Sequence, residues 1–88
     1  MVEQKVRIVN PTGLHLRPAG VYCDTAMKFS SKVTFRYGLN NIANAKSVLS
    51  VLGACVKLGD EIEIICEGED EKEALRALVE LVENGFDK

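Results

Sequence analysis

The sequence predicts an α+β fold in which three helices are stacked on one face of a four-stranded sheet. Two observations predict it. The apolar patterns follow the order β-α-β-β-α-β-α, and each strand pattern has a single apolar face. A sheet of this kind buries its apolar face under helices, and two layers are the natural solution. The 88 residues are enough for one hydrophobic core, so we expect residues 1–88 to form a single domain.

The first strand and the first helix are separated by a loop that changes the apolar period. Residues 3–9 alternate, with Val6 and Ile8 on one face, and a loop containing proline and glycine follows at residues 10–13. A helix is predicted from Pro18, because a proline is tolerated in a first helical turn. Its buried stripe is Ala19, Tyr22, Cys23, Ala26 and Met27. The buried Tyr22 hydroxyl is expected to find a partner or a water.

The middle of the chain predicts a hairpin and a short helix. Residues 32–37 alternate, residues 38–41 have turn chemistry, and a second arm follows around Ile42. Ser47 then stands where an N-cap belongs, directly before the short amphipathic pattern of residues 48–52.

The last part of the chain predicts a strand followed by a helix. Residues 61–67 place Ile62, Ile64 and Cys66 on one strand face. Asp70 and Glu73 resemble a capping box at the start of a helix over residues 71–84. The predicted buried residues of this helix are Leu75, Leu78, Leu81 and Val82, and Gly85 stands at its C-cap.

Charge is distributed unevenly along the chain, whose net charge is −2. Residues 1–59 carry eight basic and two acidic side chains, whereas residues 60–88 carry three basic and eleven acidic ones. The asymmetry predicts a basic surface for an acidic partner or an anion, or simply a solvated acidic C-terminal helix. The negative net charge and the lack of Trp argue against nucleic acid as a partner. No run is apolar enough for a membrane span or a secretory signal, so we expect no membrane insertion and a cytoplasmic location.

The three cysteines, at positions 23, 55 and 66, predict buried thiols rather than a disulfide framework. Their number is odd and no Cys-x-x-Cys pair occurs. Together with His15 they would form a Cys3His set, but the spacings lack the close pairs that zinc sites use. We therefore expect no metal and no other cofactor.

His15 is the single histidine of the chain and its candidate nucleophile. A lone histidine is most often structural or merely exposed. This one precedes a predicted helix start, where free backbone N–H groups favour anions. A neutral imidazole can attack phosphorus, and Arg17 adds a planar donor for phosphate oxygens. We therefore predict phosphoryl transfer at His15, with an anion hole made by the Leu16 and Arg17 amides beside Pro18 in the first turn.

The segment Gly13-Leu14-His15-Leu16-Arg17-Pro18-Ala19 resembles the active-site signature of the HPr family. These proteins are the histidine-containing phosphocarriers of the phosphoenolpyruvate-dependent sugar phosphotransferase system. Lys46-Ser47-Val48-Leu49 resembles the regulatory serine segment of the same family, and the resemblance covers essentially all 88 residues. It implies an open-faced β-sandwich with an antiparallel sheet. It also implies a carrier that is itself modified, not an enzyme that turns over.

The resemblance also implies partners and further site residues. His15 takes a phosphoryl group from Enzyme I, on Nδ1 in the family, and passes it to IIA domains of sugar permeases. Ser47 is implied as a target of HPr kinase/phosphorylase, with a transcriptional regulator as a further partner, although the residues alone favour a plain N-cap. The implied docking patch consists of Val48, Leu49 and Leu52 with Lys46. We expect a monomer.

Three departures from the family pattern bear on the choice of partners. Leu16 stands where the family usually has alanine, Ser50 stands where it often has glycine, and the hairpin turn is one residue longer. The alternative to a sugar-system carrier is therefore an HPr-like regulatory protein that acts through Ser47 and protein binding, without sugar transport. A third class is a small nucleic-acid or ligand-binding α+β domain, and the missing Trp, the few aromatic residues and the negative net charge count against nucleic acid.

Overall fold

A computed structural model describes residues 1–86, and the end of the predicted domain, residues 87 and 88, lies outside the described residues. The strands are β1 (Val2–Arg7), β2 (Lys32–Tyr37), β3 (Asn41–Asn44) and β4 (Glu61–Glu67). The helices are α1 (Leu16–Met27), α2 (Val48–Gly53) and α3 (Glu71–Glu83). The predicted order of elements is confirmed, and most of their ends shift by only one or two residues.

The four strands form one antiparallel sheet in the order β1-β4-β2-β3. The inner strands β4 and β2 therefore each have a neighbour on both sides. Glu63 of β4 is opposite Lys5 of β1 on one side and opposite Arg36 of β2 on the other, and Arg36 and Glu63 form an ion pair. This side of the sheet faces solvent, and opposite charges on adjacent strands suit an antiparallel sheet that is covered on one face only.

The other face of the sheet carries the hydrophobic core. Ile62, Ile64 and Cys66 of β4 are buried on it as predicted, and Val33 and Phe35 of β2 are buried with them. Helix α3 packs across β1 and β4, and α1 packs against both α2 and α3. Burial of this apolar face under three helices is the main source of stability. The predicted open-faced sandwich is therefore confirmed.

Helix α1 begins two residues earlier than predicted and buries a narrower stripe. Leu16 is its first residue, which still leaves Pro18 in the first turn. The rest of the predicted stripe is buried, but Met27 is exposed because it lies at the end of the helix. The Tyr22 hydroxyl is buried and makes no hydrogen bond to another group of residues 1–86, and burial raises the pKa of Tyr22.

The predicted capping box at the start of α3 is wrong. The Asp70 side chain makes no cap bond. Its carboxylate instead accepts a hydrogen bond from the Ser31 hydroxyl and, at 2.9 Å each, from the backbone N–H groups of Ser30 and Ser31. The Ser31 hydroxyl bond and these backbone bonds lower the pKa of Asp70 to about 2. Asp70 thus connects the start of α3 to the loop that follows α1.

The end of α3 is a Schellman motif centred on Gly85, where a C-cap was predicted. The N–H of Gly85 donates to Val82 O at 3.0 Å and the N–H of Phe86 donates to Leu81 O at 2.9 Å. Gly85 has a φ of +64°, which a side chain disfavours. Of the predicted buried residues, Leu78 and Val82 are buried, while Leu75 and Leu81 are only half-buried.

The cysteines follow the prediction at two positions of three. Cys23 and Cys66 are buried free thiols, and burial raises the pKa of Cys66 to about 11. Cys55 is exposed, so the prediction of a buried thiol is wrong there. Within residues 1–86, no group of three His, Cys, Asp or Glu side chains is placed to hold a metal ion. The helices of the same range are also too short or too polar to cross a membrane.

Candidate functional site

His15 is the N-cap residue of α1, and it is exposed to solvent. Its backbone is extended, with φ −81° and ψ −172°, so the residue precedes the helical turn rather than belonging to it. The imidazole makes no capping hydrogen bond to the start of the helix. The ring is therefore free to meet another molecule, and the helix start beside it has no side-chain cap from this residue.

The loop before His15 rests on buried contacts. Leu14 is buried, and its N–H donates to Val56 O at 2.9 Å. Gly13 has a φ of +63°, and a Cβ at this position would run into the Val56 carbonyl, so the loop requires a glycine. Asn10 closes the loop, because its Nδ2 donates to Gly13 O at 2.7 Å. The exposed histidine thus follows a firmly anchored residue.

The start of α1 has the free donors that an anion site needs. Ala19 N–H donates to His15 O at 2.8 Å, which is the first bond of the helical ladder. The turn before it contributes the N–H groups of Leu16 and Arg17, since Pro18 has none. No acidic side chain lies in this turn. The positive end of the helix dipole is therefore not neutralised by its own first turn.

An open depression of about 320 Å³ lies beside the histidine, and we call it the His15 depression. Its lining is formed by Thr12, Leu14, His15, Leu52, Cys55, Val56 and Lys57. Cys55 brings an exposed thiol to this depression. Its φ of +53° lies in the left-handed region that favours glycine.

Arg17 lines a second depression, of about 280 Å³, which we call the Arg17 depression. The lining of this one is formed by Asn10, Pro11, Thr12, Arg17, Pro18, Val21, Gly85 and Phe86. Thr12 belongs to both depressions, and its Oγ1 accepts a hydrogen bond from Asn10 Nδ2 at 3.2 Å. Arg17 is exposed and forms no ion pair within residues 1–86. His15 and Arg17 therefore lie at the same helix start and line adjacent depressions that share Thr12.

Ser47 is the N-cap of α2, as predicted. Its Oγ accepts a hydrogen bond from Ser50 N–H at 3.2 Å. The Ser50 side chain makes a second hydrogen bond, since its Oγ accepts from Asn44 N–H at 2.8 Å. A glycine, which has no side chain, could not make this bond. This departure from the family pattern therefore joins α2 to the end of β3.

The residues of the predicted docking patch differ in exposure. Leu49 is 83% exposed, whereas Val48 and Leu52 are half-buried, as expected when one face of α2 lies on the core. Lys46 is half-buried, and its ammonium donates to Phe29 O at 2.7 Å. This hydrogen bond joins the segment before α2 to the segment after α1. The sequence did not predict it.

Two exposed basic residues lie close to His15: Arg17, two residues further along the chain, and Lys57, which lines the His15 depression. One carboxylate lies beside them, because Asp60 Oδ2 accepts from Lys57 N–H at 2.9 Å. Residues 25–59 contain no Asp or Glu, in line with the charge asymmetry. The carboxylates whose pKa values are lowered, Asp70 and Glu71, belong to the start of α3 instead. The open helix start of α1 and these acids therefore lie on different elements.

Comparison with known proteins decides the family. A family model described as "PTS HPr component phosphorylation site" matches residues 2–84. The chain belongs to the HPr family. HPr proteins are phosphocarriers of the phosphotransferase system, so the resemblance drawn from the sequence is confirmed at this level.

Individual HPr relatives match over nearly the full length. The chain is 36% identical over 88 residues to phosphocarrier protein HPr of Treponema pallidum (strain Nichols), covering 100% of the chain and 99% of the relative. It is 39% identical over 83 residues to the HPr-like protein Crh of Bacillus subtilis (strain 168), and the match covers 94% of the chain and 96% of the relative. A crystal structure of HPr-C-His from Thermoanaerobacter tengcongensis superposes with a TM-score of 0.95 at 41% identity. The superposition covers 100% of this chain and 98% of that chain.

Sequence reasoning missed two residues of the HPr-like site. Thr12 lies in a turn and carries no distinctive pattern, so nothing in the sequence marks it as the residue between the two depressions. Cys55 was predicted to be buried with the other thiols, yet it lines the His15 depression. The only signal for Cys55 was weak: unlike Cys23 and Cys66, it falls on no apolar periodic face.

Proposed function

We propose that the chain carries a phosphoryl group on His15, taking it from Enzyme I and passing it to IIA domains of sugar permeases. The observation that carries this proposal is the exposed, unbonded imidazole at the N-cap of α1, beside the free N–H groups of Leu16 and Arg17. The basic surface around the site fits acidic partners. As in the family, the chain acts as a carrier that is itself modified and not as a turnover enzyme, and its place of action is the cytoplasm.

The chemical step is an in-line displacement at phosphorus. The lone pair of an imidazole nitrogen forms a bond to phosphorus, while the bond from phosphorus to the donor's leaving atom breaks and its electrons return to the donor. Passing the group on repeats the step with His15 as the leaving group. No oxidant or metal enters this balance.

The start of α1 stabilises the charge of the transferred group. The N–H groups of Leu16 and Arg17 and the Arg17 guanidinium are donors for its equatorial oxygens. These donors are few and open to solvent, so the group is held without being trapped. A carrier needs this moderate binding because it must release the same group to its acceptor.

Phosphorylation with purified Enzyme I and phosphoenolpyruvate tests the proposal. We expect one acid-labile phosphoryl group per chain, absent from His15→Ala, with folding checked by circular dichroism. A known HPr serves as the positive control for Enzyme I. If that control is labelled and this chain is not, the carrier role is wrong.

Arg17→Ala tests the contribution of the guanidinium. We expect transfer from Enzyme I to slow by about tenfold or more, because a charge-assisted hydrogen bond is lost. Arg76→Ala is the matched control, since Arg76 is an exposed arginine on α3. Equal rates in the two variants would contradict the role of Arg17.

A second candidate function is regulation through Ser47 without sugar transport. The identity of 39% to the HPr-like protein Crh favours it, as does the position of Ser47 at the N-cap of α2. A phosphate at a helix N-terminus gains from the dipole and the free N–H groups. Its charge next to Leu49 would also weaken docking to an acidic partner.

Incubation with ATP and HPr kinase/phosphorylase tests this second function. We expect an acid-stable phosphate that is lost in Ser47→Ala and kept in Ser50→Ala, the control from the same helix. Acid-stable labelling together with no labelling of His15 by Enzyme I would make regulation the main function. Labelling of His15 alone would exclude it.

A further inference from the structure

Asn84 and Gly85 form the one Asn-Gly pair of the sequence, and they follow directly after α3. Such a pair is chemically labile, because the backbone nitrogen of the second residue can attack the asparagine side chain and glycine has no Cβ to hinder the approach. Asn84 is exposed to solvent. The other asparagines, at positions 10, 40, 41 and 44, are all followed by residues that have side chains. Position 84 is therefore where the sequence favours deamidation, the conversion of the side-chain amide to a carboxylate.

The Schellman motif at the end of α3 restrains the attacking nitrogen. Gly85 N–H donates to Val82 O at 3.0 Å, and Asn84 has a φ of −89° and a ψ of 9°. Formation of a five-membered ring between the Asn84 side chain and the Gly85 nitrogen requires rotation about this ψ, and that rotation breaks the bond to Val82. The closed helix end thus slows the reaction, which proceeds when the end opens.

Phe86 controls how often this helix end opens. Its N–H donates to Leu81 O at 2.9 Å, and its ring packs on the buried ring of Tyr22, with centroids 6.3 Å apart. Its φ of +66° lies in the left-handed region, which costs free energy in a residue that has a Cβ. Helix ends open at small free energies, and a strained residue lowers that free energy further. The ring contact with Tyr22 therefore opposes an opening that the backbone strain favours.

A change at this helix end would act on the Arg17 depression. Gly85 and Phe86 line that depression together with Arg17, and a Cβ built on Gly85 would lie 3.8 Å from the Cβ of Asn10. Asn10 closes the loop that precedes the nucleophile. A carboxylate at position 84 would add negative charge to the negative end of the α3 dipole, next to these lining residues.

We propose that Asn84 is a site of spontaneous deamidation, and that its product slows phosphoryl transfer by placing a carboxylate and a displaced Gly85 beside the Arg17 depression. The Gly85 nitrogen forms a bond to Cγ of Asn84, the bond from Cγ to Nδ2 breaks, and the amide leaves as ammonia with the proton of Gly85 N–H. Water then opens the succinimide at either carbonyl and gives aspartate or isoaspartate. Isoaspartate adds one carbon to the main chain, so the Schellman bonds cannot form again as before. The effect on transfer rests on the proposed carrier function, whereas the modification itself does not.

Incubation of the purified chain at mildly alkaline pH tests the modification. Peptide mapping by mass spectrometry and labelling with isoaspartyl methyltransferase locate the product. We expect it at Asn84 and not at the exposed turn residues Asn40 and Asn41, at a rate about tenfold below that of a synthetic peptide of residues 80–88, because the closed helix end restrains the nitrogen. A folded chain that stays unmodified while the peptide deamidates would overturn the proposal.

Phe86→Ala tests the control by the helix end. We expect Asn84 to deamidate about fivefold faster, because the variant loses the ring contact with Tyr22 and opens more often. Phe29→Ala is the matched control, since Phe29 is also a half-buried phenylalanine that packs against the core, at the other end of α1 from the His15 loop. Equal acceleration in the two variants would place the reaction in the globally unfolded chain and contradict the role of Phe86.

Phosphorylation by Enzyme I before and after ageing tests the effect on transfer. We expect the aged chain to be labelled about threefold more slowly, because a charge near a helix end and an anion site has an effect of this size. Asn84→Ser cannot deamidate and should keep its rate after the same incubation. An aged chain that is modified at Asn84 but labelled as fast as the fresh one would show that the product does not act on the site. If the fresh chain is not labelled although a control HPr is, the carrier function fails, and the mapping experiment still decides the modification.

Discussion

Helices α1 and α3 are of nearly equal length, but the polar groups around their N-termini differ. Helix α1 has no acidic residue in its first turn, and its N-cap His15 makes no side-chain bond. Helix α3 has Glu71 and Glu73 in its first turn, and Glu71 accepts from Gly68 N–H at 3.1 Å and pairs with the chain's N-terminal ammonium at 3.2 Å. Within residues 1–86, no acidic or capping side chain compensates the start of α1, whereas acidic side chains of the chain itself compensate the start of α3.

The same contrast holds for the surroundings of each helix. The two buried side-chain atoms without partners within residues 1–86, Asn10 Oδ1 and the Tyr22 hydroxyl, both lie in or next to α1. Cys55, with its positive φ, lines the His15 depression near the same helix. Around the start of α3, Asp70 instead satisfies Ser30 and Ser31. Asn10 and Cys55 line the Arg17 and His15 depressions, and such features are common in functional regions, whereas Tyr22 lies in the core.

Closing the start of α1 should have the largest effect. In His15→Asn we expect complete loss of acid-labile phosphate, together with a gain of about 1 kcal/mol in unfolding free energy, because asparagine is a strong N-cap. Enzyme I labelling and urea denaturation measure the two effects. His15→Ala should lose the label without the gain. A less stable His15→Asn variant would mean that the helix start is not open.

Removing the Asp70 carboxylate, which connects the residue before α3 to the loop after α1, should have the next largest effect. The folded-state pKa of Asp70, about 2, lies below its ordinary value of 3.8, so its contribution to stability is present above pH 4 and is lost as pH falls from 4 towards 2. In Asp70→Asn we expect a lower Tm at pH 7 and a weaker fall of stability over that acidic range.

Thermal unfolding by circular dichroism between pH 2 and pH 7 measures the Asp70 effect. Glu69→Gln is the control, because Glu69 is an exposed neighbour on the same loop. Identical pH profiles for Asp70→Asn and the unchanged chain would show that the bonds to Ser30 and Ser31 do not link the two regions.

Tyr22→Phe tests the buried hydroxyl within α1. We expect the free energy of unfolding to rise by about 1 kcal/mol, because the substitution keeps the ring and removes a buried hydroxyl that has no hydrogen-bond partner among residues 1–86. The ring packs edge-to-face on Phe35, with centroids 5.6 Å apart. Tyr37→Phe, at a half-buried tyrosine of β2, should change little in the same denaturation experiment. A loss of stability in Tyr22→Phe would reveal that the hydroxyl has a partner.

Cys55→Gly should have the smallest effect. Relief of the left-handed backbone is partly offset by the greater freedom of glycine in the unfolded chain, so we expect a gain of about 0.5 kcal/mol. Cys55→Ala removes the thiol but keeps the backbone strain, and it should show no gain. If Cys55→Gly and Cys55→Ala have the same free energy of unfolding in urea, the backbone at this position is not strained.

The strands were predictable because each follows a period of two with one apolar face. Residues 61–67 illustrate this, since Ile62, Ile64 and Cys66 are all buried as expected. The end of α3 was predictable for a local reason: Gly85 adopts the positive φ that a helix terminus favours. The N-cap role of Ser47 was predictable on the same grounds.

The errors occur where a side chain found a partner distant in sequence. Asp70 has the local pattern of a capping residue, but the fold brings Ser30 and Ser31 to its carboxylate, and these donors compete successfully with the helix's own N–H groups. Lys46 was expected in the docking patch, and the fold brings Phe29 O within 2.7 Å of its ammonium. Local patterns carry no information about such partners.

The sequence by itself determined the order of the elements, the apolar faces and the candidate chemistry at His15 and Arg17, because these depend on residue type and short-range spacing. The tertiary structure alone decided that Thr12, Leu52 and Cys55 line a depression together with His15, and that the adjacent depression, lined by Arg17, shares Thr12. It also decided which of two similar helix starts stays open. That outcome depends on which polar groups the packing of the sheet and helices brings within hydrogen-bond distance, and no local pattern specifies it.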